Sequence, residues 1–531
     1  MFDVIIRGAR IFDGTGGAAF CADVAIKDDA VAAVGDLGEE SAGLEIEARG
    51  MALAPGFIDI HTHSDMPLML DGDANSHIRQ GVTTNVIGNC GTALAPVTPE
   101  AVEYLKSRTP SDEEAPAWDW LSMAEYLQRL EESGVSVNVV PLAGQGSIRG
   151  SVMGFVDRAP TEEELQKMKG MVREAMEDGA FGMSTGLIYV PGSYAATDEI
   201  VELAEVVGEY GGLYASHIRG ENDTLIPALE EAIEVGRRAD VPVQVSHLKA
   251  MGRHMWGRSA DALQLIDRAR SEGIDITADQ YPYNASATGL GAYLPAWAHV
   301  GGSDELMKRL SDEDTREKIK EHILSGDDEW TSLYKGVGWE NTMITRCKVT
   351  DLEGKMVTEI ADERGIDPFD CAFDILLEAG GNVGVVYFTI GDEDLERIMR
   401  HPSVMIGSDS SAIGTEGPTA RGKPHPRSFG TFSRVLGKYV REDETIGLAE
   451  AIKKMTSMPA GRLGLTDRGV LRPDARADLV LFDPDTVADC ATYKDPFRYP
   501  EGVLKVFVNG QLTISDGEHT KVRAGRVLRR P

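Results

Sequence analysis

Between residues 56 and 410 the chain repeats one pattern, a short apolar run followed by a helical stretch, and few folds satisfy it. Eight strand-like runs fall at 56–63, 82–90, 137–144, 180–187, 212–219, 241–249, 274–283 and 403–410. Strands separated by helices pair in parallel, and continuous apolar runs mark strands covered on both faces. Eight such units are the count of a closed (β/α)8 barrel. Helix starts are written between them: Thr161 with Glu164 forms a capping box for a helix to about Asp178, and Asn222 or Asp223 is expected to cap the helix to about Arg238.

The ends of the chain differ. Residues 3–11 and 22–27 are apolar or alternating runs split by the turn cluster Asp13-Gly14-Thr15-Gly16-Gly17, and residues 477–483 and 503–510 look the same. The expected fold class is therefore α/β, a (β/α)8 TIM-like barrel with a small β-sandwich domain built from both termini. Residues 1–54 and 468–531 would form the sandwich and 55–467 the barrel. One connection is badly over length: about 285–343 is aromatic, Gly-rich and charged, and is expected to be an inserted lid subdomain over the barrel mouth.

The reactive residues collect where these strands end. Pro55-Gly56 starts the first strand sharply, Phe57, Ile58 and Ile60 bury it, and His61 and His63 finish it. Residues two apart on a strand share a face, so both imidazoles reach one cation. The second strand ends in Asn89-Cys90-Gly91, the fifth in Ser216-His217, the sixth in Ser246-His247-Leu248-Lys249 and the eighth in Ser408-Asp409-Ser410. Barrel active sites lie at the carboxyl ends of strands, so these N, S and O donors converge on one mouth. Singly, each has a bland reading as a core histidine, a small buried thiol or a turn aspartate; jointly they point to a metal. Imidazole, thiolate and carboxylate together suit zinc, and a Cys90 thiolate has the lone pairs to bridge two ions.

Composition removes other classes. Lys+Arg 53 against Asp+Glu 86 gives a net charge of −33 with no basic aromatic cluster, which argues against nucleic acid and anionic membranes as partners. No run approaches a membrane span, and the first residues lack the basic start of a signal peptide, so a cytoplasmic protein is expected. The five cysteines are odd in number, widely spaced and form no Cys-x-x-Cys pair, which argues against a disulfide framework.

These motifs resemble the amidohydrolase superfamily and, within it, the D-aminoacylase (N-acyl-D-amino-acid deacylase) family, over nearly the whole chain. Ala54-Pro55-Gly56-Phe57-Ile58-Asp59-Ile60-His61-Thr62-His63 and Gly469-Val470-Leu471-Arg472-Pro473-Asp474-Ala475-Arg476-Ala477-Asp478-Leu479 mark the superfamily. Ile87-Gly88-Asn89-Cys90-Gly91, Ser184-Thr185-Gly186-Leu187-Ile188-Tyr189, Ser216-His217-Ile218-Arg219, Ser246-His247-Leu248-Lys249 and His425-Pro426-Arg427 mark the deacylase branch. Many binuclear relatives carry a carboxylated lysine on strand four, whereas Gly182-Met183-Ser184-Thr185-Gly186 has none. The resemblance implies that Cys90 takes that role, that one tight zinc is held by Cys90, His217 and His247, and that a second, weaker one is held by His61, His63, Cys90 and Asp409.

Zinc acidifies water and polarises an amide carbonyl. Asp409 is placed to take the proton and later pass it to the leaving amine. By resemblance Lys249, Tyr281 and Arg427 bind the α-carboxylate of an amino-acid product, with Arg421 or Lys423 as rivals of Arg427. Tyr189, Arg219 and Tyr283 are pocket candidates without an assigned role. The stretch 286–297 contains no Arg or Lys, which favours a neutral or apolar D-residue unless Lys308 or Arg309 reaches in from the insertion. The expected activity is zinc-dependent hydrolysis of small-molecule N-acyl-D-amino acids, by a homo-oligomer or a monomer. The alternatives are a dipeptidase for C-terminal D-residues and a hydrolase of cyclic, hydantoin-like amides.

Overall fold

The structure, a computed structural model, describes residues 1–102, 118–326, 330 and 332–530. All eight expected strands are present as buried cores shorter than their apolar runs: Phe57–Asp59, Val82–Ile87, Asn138–Pro141 continued by Ala143–Gly144, Gly182–Gly186, Leu213–His217, Val243–Val245, Ile276–Gln280 and Val404–Ile406. They are numbered here as barrel strands one to eight. Each neighbouring pair is parallel, in registers such as Asp59 with Asn85, Met183 with Ala143, Ser216 with Val245 and Gln280 with Ile406. Strand three's two pieces join the arcs on one side. On the other, the Asp409 and His63 N–H groups donate to the His61 and Ser410 carbonyls at 2.8 Å each, closing the barrel at the level of the candidate ligands.

Helices pack outside through apolar stripes, as periodicity demands. The helix Glu162–Glu177 opens on the expected Thr161–Glu164 capping box. The helix Leu225–Ala239 corrects an expectation: its N-cap is Thr224, while the Asn222 amide donates instead to the Ser332 carbonyl. The Thr224 side chain makes no cap hydrogen bond either, so the helix starts without a side-chain cap and the cap chemistry of Asn222 and Asp223 did not mark its first residue.

The two termini meet in one sheet of nine strands, in which Leu479–Phe482 pairs with Ala52–Pro55. The expected sandwich is thus a single continuous sheet folded over itself. Its first strand, Phe2–Ile11, pairs with Ala42–Glu47 along its first half and with Ala52–Leu53 at its end, and this switch turns the two halves onto a shared core of Ile6, Ile11, Val24, Leu479 and Phe507.

The insertion runs further than the expected 285–343. Strands Ala285–Gly289, Thr342–Arg346 and Gly384–Phe388 form one antiparallel sheet, and a separate apolar core extends from Leu290 to Tyr387. The third strand completes the layer, so the subdomain cannot end before it. Residues 327–329 and 331 of the insertion, and 103–117 of the barrel segment, lie outside the described residues. Among the described residues no helix is long and apolar enough to cross a membrane.

Candidate active site

The six candidate ligands lie together at the carboxyl end of the barrel. One group of donor atoms, from His61, His63, Cys90 and Asp409, and a second, from Cys90, His217 and His247, each fall within 4.8 Å of one another, with Cys90 common to both. Cys90 Sγ is 3.3 Å from His61 Nε2 and 3.5 Å from His247 Nε2. Asp409 Oδ1 is 3.1 Å from His63 Nε2 and 3.5 Å from His61 Nε2. Cys90, His247 and Asp409 have φ of 52°, 36° and 49°, the left-handed region that non-glycine residues rarely enter. Such strain persists only where the surroundings impose it, and here it turns three strand ends inward over one point. Gly91 follows with φ 73°, and a Cβ there would lie 2.6 Å from the Gly186 backbone nitrogen, so the Cys90 turn has room for glycine alone.

The donor set fits a metal. His217 is 4% exposed, yet neither of its ring nitrogens has a hydrogen-bond partner. A buried polar group left in that state is costly, and a cation beside Cys90 and His247 satisfies it. The His61 and His247 imidazoles are oriented from behind, as metal-binding histidines commonly are. Asp279 Oδ1 lies 3.1 Å from His61 Nδ1 and accepts from the His247 N–H at 2.8 Å, while Glu221 Oε1 lies 3.0 Å from His247 Nδ1. These contacts leave the Nε2 atoms facing Cys90. Burial raises the Cys90 thiol, but the His61, His217 and His247 imidazoles hold it well below the usual range, towards thiolate. For Asp409 burial is likewise outweighed, by Arg427, His247 and His63, so its carboxyl stays ionised.

Around this cluster the candidate substrate groups divide. Lys249 Nζ is 2.5 Å from Glu221 Oε1, Arg427 Nη1 is 2.9 Å from Asp409 Oδ2, and the Arg427 guanidinium lies 4.6 Å above the Tyr281 ring. Tyr189 packs its ring edge on His217 at 5.0 Å and pairs its hydroxyl with Thr288 at 3.0 Å. Two candidates do not reach the cluster. Arg219 is committed to both Glu231 oxygens at 2.9 Å and to the Ser193 and Ala195 carbonyls. Tyr283 turns its hydroxyl to Pro426 O and Asp489, where it supports the turn that carries Arg427. Of the rival cations, Arg421 folds back to the Pro418 carbonyl and Lys423 lies against Gly354, whereas Arg427 holds Asp409. Lys308 pairs with Glu305, and Arg309 with the Ala298 and Val300 carbonyls, so neither turns toward the site.

Glu221 and Asp279, which contact the candidate ligands from behind, were missed by sequence reasoning. Asp279 had a signal, a carboxylate inside a buried strand that must find a partner. Glu221 follows the His217 strand in a loop, where no periodicity marks it. Beyond Cys90, Tyr189 and Glu221, a cavity of about 1680 Å³ extends outward beneath the insertion.

A parallel barrel with a histidine, cysteine and aspartate centre at its carboxyl face defines the class, a metal-dependent amidohydrolase. The Amidohydrolase family model matches residues 44–514, and the chain belongs to that family and to its N-acyl-D-amino-acid deacylase branch. It is 36% identical to a D-aminoacylase of Alcaligenes xylosoxydans xylosoxydans, over 100% of this chain and 98% of that one. It is also 36% identical to an N-acyl-D-aspartate deacylase of the same organism, over 99% and 95%. Among solved structures, an N-acyl-D-glutamate deacylase from Bordetella bronchiseptica, complexed with zinc and a phosphonate mimic of the tetrahedral intermediate, superposes with TM-score 0.83 at 35% identity, over 99% of both chains.

Proposed function

We propose that this protein is a zinc-dependent hydrolase of linear amides that releases a carboxylate and a D-amino acid from N-acyl-D-amino acids. The observation that carries the reading is Cys90 shared between two donor groups in a chain whose relatives are D-aminoacylases. Cys90, His217 and His247 would hold the tight zinc, and His61, His63, Cys90 and Asp409 a weaker second ion. When bound, zinc in such a set acidifies water and polarises a carbonyl. Asp409 then takes a proton at its Oδ1, the atom facing His61 and His63, and returns it to the departing amine nitrogen. Arg427 and His63 keep that carboxylate ionised and aimed until it is needed.

Lys249, Tyr281 and Arg427 would receive the substrate α-carboxylate, Arg427 offering a planar fork and Lys249 a point charge. A neutral D-side chain is favoured, since Arg219 is locked by Glu231 and residues 285–297 bring no Arg or Lys. Segments 1–54 and 468–531 serve in this reading as the supporting sheet of a catalytic barrel over 55–467. The five unpaired cysteines support a cytoplasmic setting. The cyclic-amide alternative is weaker: strand four, Gly182–Gly186, offers no lysine, and a D-hydantoinase from Thermus shares the fold alone, at 15% identity and TM-score 0.56.

The test is amine release from paired N-acetyl-D- and N-acetyl-L-amino acids, D-aspartate and D-glutamate included, with zinc-loaded enzyme and a Cys90→Ala control. Release from neutral D-substrates that vanishes in the control is expected. Zinc-loaded enzyme that releases no amine from any of them would sink the assignment.

A further inference from the structure

The large cavity meets the donor cluster on one side only. Cys90, Tyr189 and Glu221 line it, whereas Lys249, Tyr281 and Arg427 do not. A substrate with its α-carboxylate on those three groups and its carbonyl at the cluster has its amino-acid half on the closed side. Its acyl half must then leave through the cavity. That space is about 1680 Å³, larger than the roughly 300–1,000 Å³ that ordinarily encloses a whole drug-sized ligand. An acetyl group would leave nearly all of it to water.

The cavity wall carries charged groups, Glu100, Asp157 and Lys167 among them, but most of its exposed surface is apolar. Barrel loops contribute Phe155, Ile188 and Tyr194, and the insertion contributes Leu294, Trp297 and Leu306. Tyr194 and Trp297 have their polar tips paired within the wall, the Tyr194 hydroxyl on the Ala296 carbonyl and the Trp297 indole N–H on His322. The first of these bonds also ties barrel loop to insertion, so the wall is one connected surface. We propose that the acyl group of the physiological substrate is an extended apolar chain, and that the insertion is the element that selects it. This rests on the deacylase reading above and names the substrate class within it.

The experiment compares kcat/KM for N-acetyl, N-octanoyl and N-lauroyl derivatives, and an alanyl-alanyl derivative, of one neutral D-amino acid, with zinc-loaded enzyme. Each buried methylene contributes severalfold in binding, so octanoyl is expected to exceed acetyl by at least about tenfold. Ala292→Phe, which adds bulk to the cavity wall, is expected to lower kcat/KM for octanoyl more than for acetyl, with zinc content and melting temperature retained. Calorimetry on Asp409→Asn, in which turnover is slowed, is expected to show tighter binding of the octanoyl than of the acetyl compound, and equal binding of the two would overturn the inference. Equal or better hydrolysis of the acetyl compound, a peptidyl derivative that surpasses octanoyl, or an Ala292→Phe that lowers both substrates alike would each overturn the inference while leaving the deacylase reading intact. Failure to cleave any derivative would overturn both.

Discussion

Asp409 is held by groups that make its loss specific. It touches His63 and Arg427, while the other donor group, Cys90, His217 and His247, does not include it. Asp409→Asn is therefore expected to lower kcat by the ~10²–10⁴-fold typical of proton-transfer groups while retaining about one zinc per chain, read by steady-state kinetics and metal analysis. Unchanged kcat would remove Asp409 from proton transfer. Glu221 tests the layer behind the ligands. Its pairing with Lys249 is buried on both sides, at 4% exposure each, and an uncompensated buried charge is expensive. Glu221→Gln is expected to cost about 3–5 kcal/mol in chemical unfolding, and Glu221→Gln with Lys249→Met to recover most of it. A double variant no more stable than the single one would show that the pair is not coupled. At this scale the convergence of the candidate ligands was legible because histidine, cysteine and aspartate stand at strand ends. Glu221 and the engagement of Arg219 were not, because loop geometry decides which carboxylate meets which cation.

The barrel strands were readable as elements because both of their faces are buried, which leaves the run of Phe57, Ile58 and Ile60 no other environment. What apolar patterning does not carry is the path of the chain beyond each run, where Cys90, His247 and Asp409 take left-handed conformations. Behind strands one and eight a second buried network fixes that path. His77 Nε2 is 3.1 Å from Ser410 Oγ, its Nδ1 is 3.1 Å from Asn85 Oδ1, and Ser408 N–H donates to Asp59 at 2.9 Å. Burial lowers the His77 imidazole from 6.5 to about 4, so the folded state keeps it neutral where the unfolded chain would protonate it. Between those values the unfolded state binds the extra proton, so stability is full above pH 6.5 and is lost as pH falls towards 4, by up to about 3 kcal/mol from this group. His77→Gln is expected to flatten that part of the stability curve in a denaturant series from pH 4 to 7. The same slope in the variant and the parent would assign the acid sensitivity to other groups.

The whole molecule is held at its mouth by two devices of different kinds. The insertion brings its own apolar core, from Leu290 to Tyr387, and its first strand begins five residues after Gln280 ends barrel strand seven. Its extent was misjudged from sequence because Gly384–Phe388 resembles any short strand until its partners at 285–289 and 342–346 are known. The donor cluster is the second device: its ligands come from barrel strands one, two, five, six and eight, so a bound ion would bridge segments as far apart in sequence as His61 and Asp409. Unfolding separates them, and a ligand that binds only the folded state adds RT ln(1 + [L]/Kd), about 2.7 kcal/mol at a hundredfold excess over Kd. Chelation should therefore lower the melting temperature by about 2–3 °C, and zinc, added back, should restore it. Hydrogen exchange should show the loss of protection at 57–63, 87–91, 213–217 and 404–410, and leave the terminal sheet and the insertion core as they were. Loss spread evenly over the chain would mean that zinc acts on stability from somewhere other than the barrel mouth.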